Sequence, residues 1–355
     1  MEKINKKSNY YFLDLLTVIA ALGVLIVHVT HVLAGFHVID YKTFPTAAFY
    51  RFDSTAVQLF FMLSGFKITL SISNQMKQGK FSYYKYVFKR VFSIWFIYMI
   101  ALIAYLIFRF YFRKAEFESL GTWDYLSHVL LLNGFNPNSY NTTVASGWFI
   151  GCIILYYLIT PFIVKVFKST DKMLIVCIGA FLLRYGFSFL SNTPLFGYEA
   201  NVWQTFHSQS FPMHFCFYTL GILAYHIIVR KDVSFKWHSA IPSLLMCILL
   251  WYSNDRLMLD SLIIFFVFLL ASKINIDSNK FKIIPTLSKF TLPVYLFQML
   301  LLRSIAMFVD FKEINDWGIW WITFVSSLII LFALGALLHY FVTKPTNKLY
   351  KKIFK

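Results

Sequence analysis

The sequence predicts an all-α fold: a polytopic membrane helix bundle of about ten transmembrane helices, with both termini on the inner side. Three observations predict it. The chain is 59% hydrophobic and only 14% charged, with a mean hydropathy of +0.64, whereas soluble domains carry about 45–50% apolar and about 25% charged residues. So few charges cannot clothe a water-facing surface. The apolar residues also gather into many runs near the length of about 20 residues that a spanning helix needs. Finally, the Lys and Arg residues alternate between poor and rich connections along the chain.

The predicted spans lie near residues 11–33, 54–73, 87–110, 147–165, 173–190, 211–229, 238–252, 257–272, 287–308 and 317–342. They form one membrane domain over 1–355, since no long polar stretch is available for a second. The first run follows Lys3, Lys6 and Lys7 and so resembles a secretory leader. It is too long for a leader's apolar region and holds Asp14 and His28, so a retained helix is expected. The seventh and eighth spans are short and split by Ser253, Asn254, Asp255 and Arg256, which leaves a re-entrant hairpin as the alternative. Segment 123–132 is too short to span and is expected to lie on the membrane surface or re-enter it.

Charge tests this layout independently. With the N-terminus inside, inner segments hold 23 of the 33 Lys and Arg residues and outer segments hold 8. Lys67 and Arg184 remain within spans. This pattern expects an inner N-terminus, an inner C-terminus and an even number of spans, in a cell membrane. The formal charge of +17 is dispersed over short loops, which argues against a nucleic-acid partner. Cys152, Cys177, Cys216 and Cys247 sit unpaired in apolar runs and read as small buried hydrophobes, with no metal pattern.

Ionisable groups inside spans cost about 2.5–3.5 kcal/mol at mid-helix and are functional candidates by default. Asp14 and His28 are about 21 Å apart along the first helix and within about 40° in azimuth, with Thr17 near the same stripe. One face of that helix is therefore polar and must look into the bundle. The unperturbed pKa of an imidazole lies near neutrality, so His28 suits a general base or an acyl acceptor; the plainer reading is a histidine bridging two helices. His31 and His339 read as interfacial. Arg51, Asp53, Arg184, His207, His214, Gln298 and Arg303 gather in the outer half. Arg184 cannot reach water easily and is expected to meet an acid or a ligand oxygen, whereas Lys67 is read as snorkelling to the inner edge. Loop 133–146 is rich in amides and hydroxyls and could line a sugar site or be plain surface.

Taken in order, these segments resemble the acyltransferase-3 family of integral membrane O-acyltransferases. The matches are LDLLTVIAALGVLIVH (Leu13 to His28), FFMLSGF (Phe60 to Phe66), the basic opening of the third helix (Tyr83 to Trp95), and GWFIGCIILYYLITP (Gly147 to Pro161). The late segment LSKFTLPVYLFQML (Leu287 to Leu300) is similar too. The resemblance implies transfer of an acyl group, acetyl above all, from cytoplasmic acyl-CoA (acetyl-CoA) to a hydroxyl of a cell-surface or exported glycan. No bound cofactor is implied, since the acyl-CoA is a donor substrate. His28 and Asp14 would be catalytic. Lys85, Lys89 and Arg90 would hold the donor's phosphates, and Trp148, Arg184 and Gln298 would meet the substrate. This chain departs from the family pattern at Thr17 and Ser93, where arginines are usual, at Ile153, where some members carry an acid, and at Gln298, where histidine is usual.

The alternative function is a non-enzymatic protein that exports or flips a polysaccharide. An ion-coupled transporter fits less well, because it predicts a carboxylate near mid-membrane and Asp14 lies near the inner edge. The Lys, Ile, Phe and Asn richness points to an AT-rich bacterial genome. The expected partners are the lipid bilayer and the hydroxyl acceptor.

Overall fold

The computed structural model describes residues 10–35, 46–141, 143–193, 197–231, 256–273, 282–308 and 317–354, with the side chains of 46–54 and 256–258 left aside. Every regular element among them is helical. Long helices are α1 (Tyr11–Gly35), α2 (Thr46–Lys77) and α3 (Tyr83–Phe112). Short α4 (Lys114–Glu118) and α5 (Thr122–Val129) lead into a loop with one 3₁₀ turn (Asn133–Phe135). Then come α6 (Gly147–Val166), α7 (Thr170–Ser188), α8 (Ala200–Gln209) and α9 (Phe211–Tyr225), the last running on as a π turn to Arg230. The chain continues with α10 (Arg256–Ala271), α11 (Ile283–Leu287), α12 (Thr291–Phe308), α13 (Trp317–Leu338) and α14 (Lys344–Ile353).

Seven stretches are long and apolar enough to cross a membrane: Tyr11–Gly35, Thr55–Lys77, Tyr83–Phe112, Gly147–Val166, Ala200–Arg230, Ile283–Phe308 and Trp317–Ile353. They cover seven of the ten expected spans. The expected span at 173–190 forms α7, where Asp171, Lys172 and Arg184 put three charged residues into 19. The one at 257–272 forms α10, described from Arg256 to Ala271. The span at 238–252 lies outside the described residues, as do Cys247 and the side chains of Arg51 and Asp53. Segment 123–132 forms the short α5 rather than a span.

α13 explains the environment. Its buried face carries Trp320, Thr323, Ser327, Leu331 and Gly335, while Trp321, Ile322, Val325, Ile329 and Ile330 are exposed. Large aliphatic residues outward and hydroxyls or glycine inward is the pattern of a helix whose solvent is lipid. α2 lies at the centre, packed on α1 and α9. Its crossing with α9 is set by two glycines. A Cβ on Gly65 would collide with the Tyr218 carbonyl, and one on Gly221 with that of Met62. Either addition must push the backbones apart.

Local chemistry sets the element ends. Ser169 caps α7 by accepting from the Lys172 amide at 3.3 Å, Pro212 sits in the first turn of α9 where its missing N–H costs nothing, and Gly79 at φ +65° closes α2. Pro161 inside α6 leaves the Tyr157 carbonyl without its helical donor.

Candidate functional site

A cavity of about 260 Å³ opens where six helices and one loop converge. α1 presents Val24 and His28, one turn apart, and α12 presents Tyr295, Met299 and Arg303 at the same four-residue spacing. Such i, i+4 stripes are how a helix aims several side chains at one point. α2 adds Val57 and Gln58, α8 and the turn before α9 add Ser208 and Gln209, and α9 adds His214. Asn141, Ala145 and Ser146 close it from the loop, with Trp148 at the start of α6.

The wall is aromatic on one side. The His214 ring stacks on Phe61 at 5.2 Å and lies 4.9 Å from Trp148, while its Nε2 donates to the Ser208 carbonyl at 3.0 Å. Elsewhere the wall is polar and unsatisfied. Both amide atoms of Gln58, which is 1% exposed, lack a hydrogen-bond partner among the described residues, as do Gln209 Oε1 and His214 Nδ1. Leaving a buried polar group unpaired costs about 1–3 kcal/mol, so a concentration of them along one cavity marks a place built for a polar guest. His28 has His31 and Arg303 as its charged neighbours.

The amide-rich loop divides its labour. Asn133 Nδ2 donates to the carbonyls of Tyr140 and Gly147 at 3.2 and 2.9 Å, and Asn136 Nδ2 donates to Asp124 Oδ1 at 2.9 Å. These residues fold the loop. Asn141 instead reaches the cavity, and its Oδ1 accepts from the Ser146 amide at 2.6 Å. Ser146 holds φ +69°, a left-handed backbone that a non-glycine residue adopts at a cost of about 1–2 kcal/mol, immediately before the helix that carries Trp148. On α5, His128 Nε2 donates to the Ser139 carbonyl at 3.0 Å and Nδ1 meets the Tyr98 hydroxyl at 2.6 Å. Burial pushes this imidazole down to about 4, against the raising pull of the Ser139 bond and Asp124.

A second cavity of about 230 Å³ lies on the other side of a partition. The rings of Phe60, Phe149 and Tyr295 form that partition, with centroids 5.2–6.1 Å apart. Tyr295 lines both cavities. The second cavity is walled by Leu63, Ile94, Ile150 and Ile153 on its apolar side and by Thr17, Ser64, Lys67, Tyr157 and Ser288 on its polar side. Lys67 Nζ donates to Thr17 Oγ1 at 2.7 Å, and Ser288 Oγ donates to Asp14 Oδ1 at 2.7 Å. Asp14 is also the charged neighbour of Lys67. A cation therefore stands beside Thr17, inside the bundle, and Lys67 is not the snorkelling residue that its place in the sequence suggests. Thr17 and Ile153, two of the positions that depart from the family pattern, both line this cavity.

A third space of about 620 Å³ adjoins the first, sharing Asn141 and Arg303 with it. This vestibule is lined by Arg109, Arg113, Glu116, Asp124 and Tyr140 as well.

The residues singled out from sequence fall in different places. His28 and Trp148 share the first cavity. Asp14 sits at the edge of the second, so the common stripe on α1 serves two compartments. Lys85, Lys89 and Arg90 line neither. They lie along α3 with Lys85 5.8 Å from the Phe354 ring, Lys89 5.8 Å from Tyr350 and Arg90 5.9 Å from Tyr86. Arg184 is buried, bonded to the Met213 carbonyl and 5.4 Å from the Phe217 ring, where it braces α7 against α9 behind His214. Gln298 is fully buried, lines neither of these cavities, and its side-chain amide has no hydrogen-bond partner among the described residues. His207 is held by the Phe187 carbonyl at 2.7 Å and ring stacking at 4.5 Å. Cys152, Cys177 and Cys216 are buried, and no group of residues able to hold a metal occurs among the described residues. Sequence reasoning missed Gln58 and Gln209, which carry no signal in single-helix periodicity.

The acyltransferase-3 family profile, described as an acyltransferase domain, matches residues 10–340. No curated protein and no solved structure matched the chain. The matched stretch takes in α1 through α13, and hence His28, the ring partition and Lys67 alike. The chain is a multi-pass membrane protein and belongs to the acyltransferase-3 family of acyltransferases.

Proposed function

We propose that this protein transfers an acyl group, acetyl in the first instance, from cytoplasmic acyl-CoA to a hydroxyl of a cell-surface or exported glycan. In this reading it sits in the plasma membrane with both termini in the cytoplasm. One observation carries it: His28 faces a cavity whose Gln58, Gln209 and His214 hold unpaired hydrogen-bonding atoms. Amides that both donate and accept match the hydroxyls of a sugar, and Trp148 offers an aromatic face beside them.

The chemistry follows from that placement. An acceptor hydroxyl beside the imidazole gives its proton to a ring nitrogen of His28 as its oxygen attacks the thioester carbonyl carbon. The C–S bond breaks as the new C–O bond is kept, and the departing thiolate takes the proton back from the imidazolium, leaving an ester and a free thiol. The Gln58 amide, whose Nε2 has no partner among the described residues, is a donor in the same cavity for the negative charge that develops on the carbonyl oxygen. On the donor side, Lys67 is the cation inside the second cavity, and Lys85, Lys89 and Arg90 offer cations along α3 for phosphate groups. Asp14 then holds Ser288 and balances Lys67 rather than acting on the acceptor.

The test is the acetyl content of surface glycan in a deletion strain complemented with wild type or His28→Ala. Loss of a general base lowers the rate by about 100-fold or more, so acetylation should fall to the level of the deletion. Full restoration by His28→Ala would remove that residue from the mechanism. Purified wild-type protein that neither binds labelled acetyl-CoA nor transfers its acyl group would favour polysaccharide export instead.

A further inference from the structure

The vestibule beside the His28 cavity has a charge pattern that the transfer reaction itself does not call for. Its two carboxylates are already engaged. Glu116 pairs with Arg113 at 2.7 Å and Arg109 at 3.8 Å. Asp124 accepts from Asn136 Nδ2 at 2.9 Å and from the Gly121 amide at 2.8 Å. Arg303 lines the same space with no ion pair among the described residues. It is also the one charged side chain that lines both the vestibule and the His28 cavity.

Arg303 is half-buried and meets no carboxylate among the described residues, and charged residues on membrane helices mark ligand paths. Guanidinium presents a planar fork of donors suited to two-point pairing with a carboxylate or phosphate. The orphaned amide of Gln58 stands in the same cavity and is suited to hydroxyls rather than to charge. The two features call for one molecule: hydroxyl-rich where it meets His28 and Gln58, anionic where it meets Arg303.

We propose that the acceptor is an acidic glycan, a sugar bearing a carboxylate or phosphate, with its anionic group seated on Arg303 and the hydroxyl to be acylated beside His28. This rests on the glycan-acceptor reading above and narrows it to a substrate class. Arg109 and Arg113, partly neutralised by Glu116, would extend the electropositive path along the vestibule for neighbouring acidic units of the chain.

The experiment uses the full-length protein in detergent, with isothermal titration calorimetry reporting binding and thiol release from acetyl-CoA reporting transfer. The probes are methyl glucoside, methyl glucuronide, which shares its ring but carries a carboxylate, and glucose 6-phosphate. The expected result is a Kd at least tenfold lower for one or both charged sugars than for methyl glucoside. Arg303→Gln should bring that ratio close to one, and Arg303→Lys should keep most of it. A preference for the phosphate or the carboxylate alone identifies which anion the site takes. Equal binding of neutral and charged sugars by wild type would overturn the proposal while leaving the acyltransferase reading intact. So would a preference unchanged in Arg303→Gln. Charged-sugar preference without any thiol release, in contrast, would support the anion site and count against the transfer reaction.

Discussion

His128 shows how a single residue ties the connection after α3 to the bundle. Its two ring nitrogens join Tyr98 on α3 to Ser139 in the loop, and this requires the neutral imidazole, with one nitrogen donating and the other accepting. Its folded pKa, about 4, lies below the ordinary value near 6.5. The unfolded chain therefore binds a proton that the folded chain refuses, and stability falls as pH drops from about 6.5 toward about 4. The slope approaches about 1.4 kcal/mol per pH unit within that window. Thermal unfolding in detergent followed across it should show wild type losing stability steadily, with His128→Gln flattening the dependence. An identical slope in both proteins would assign the effect elsewhere.

Residue identities also show what could be read in advance. His28 and Trp148 carry their chemistry in their type and position, and both reach the cavity. Lys67 was legible only as a cation near a helix end, because its partner Thr17 is 50 residues away and no periodicity within one helix can pair them. Arg184 illustrates the opposite case. A buried arginine reads as a ligand site, yet a backbone carbonyl from another helix and a phenyl ring accommodate it.

Among elements, the α2–α9 crossing is the most constrained. Gly65 belongs to the FFMLSGF segment, whose Phe60 lines the second cavity and whose Phe61 stacks on His214 of α9, so this crossing sets the distance between the rings and α9. Gly65→Ala places a methyl against the Tyr218 carbonyl and should destabilise by about 1–3 kcal/mol, the usual cost of overpacking. The same substitution at Gly179, where a Cβ meets nothing within 4 Å, is the control. Melting temperatures in one detergent would separate them, and equal values would mean that α9 yields. The helices were legible because lipid imposes a length on apolar runs. Sequence placed α7 and α10 as well, near 173–190 and 257–272; what it did not show is that Arg184 ties α7 to α9 through the Met213 carbonyl.

For the molecule as a whole, the two cavities and the rings between them matter most. In the proposed reading, with the donor in the second cavity and the acceptor in the first, the rings of Phe60, Phe149 and Tyr295 would keep water from the thioester until both are filled. Phe149→Ala opens the partition without touching His28 or Lys67. The expected outcome is thiol release from acetyl-CoA without acceptor, raised several-fold, with a smaller share of acyl groups reaching the acceptor. Thiol release and ester formation measured on the same sample decide it; a ratio unchanged from wild type would mean that the rings do not isolate the compartments.

Tyr295 forms part of the wall of both cavities. A side chain shared in this way gives the compartments a common degree of freedom. Whatever rotamer or tilt one occupant selects is the shape the other must bind. Linkage then makes the effect reciprocal: a donor that tightens acceptor binding by some factor is itself tightened by the same factor. In such a molecule the affinities for the two substrates are not separate properties, and a change at Tyr295 alters the coupling between them as well as each one alone.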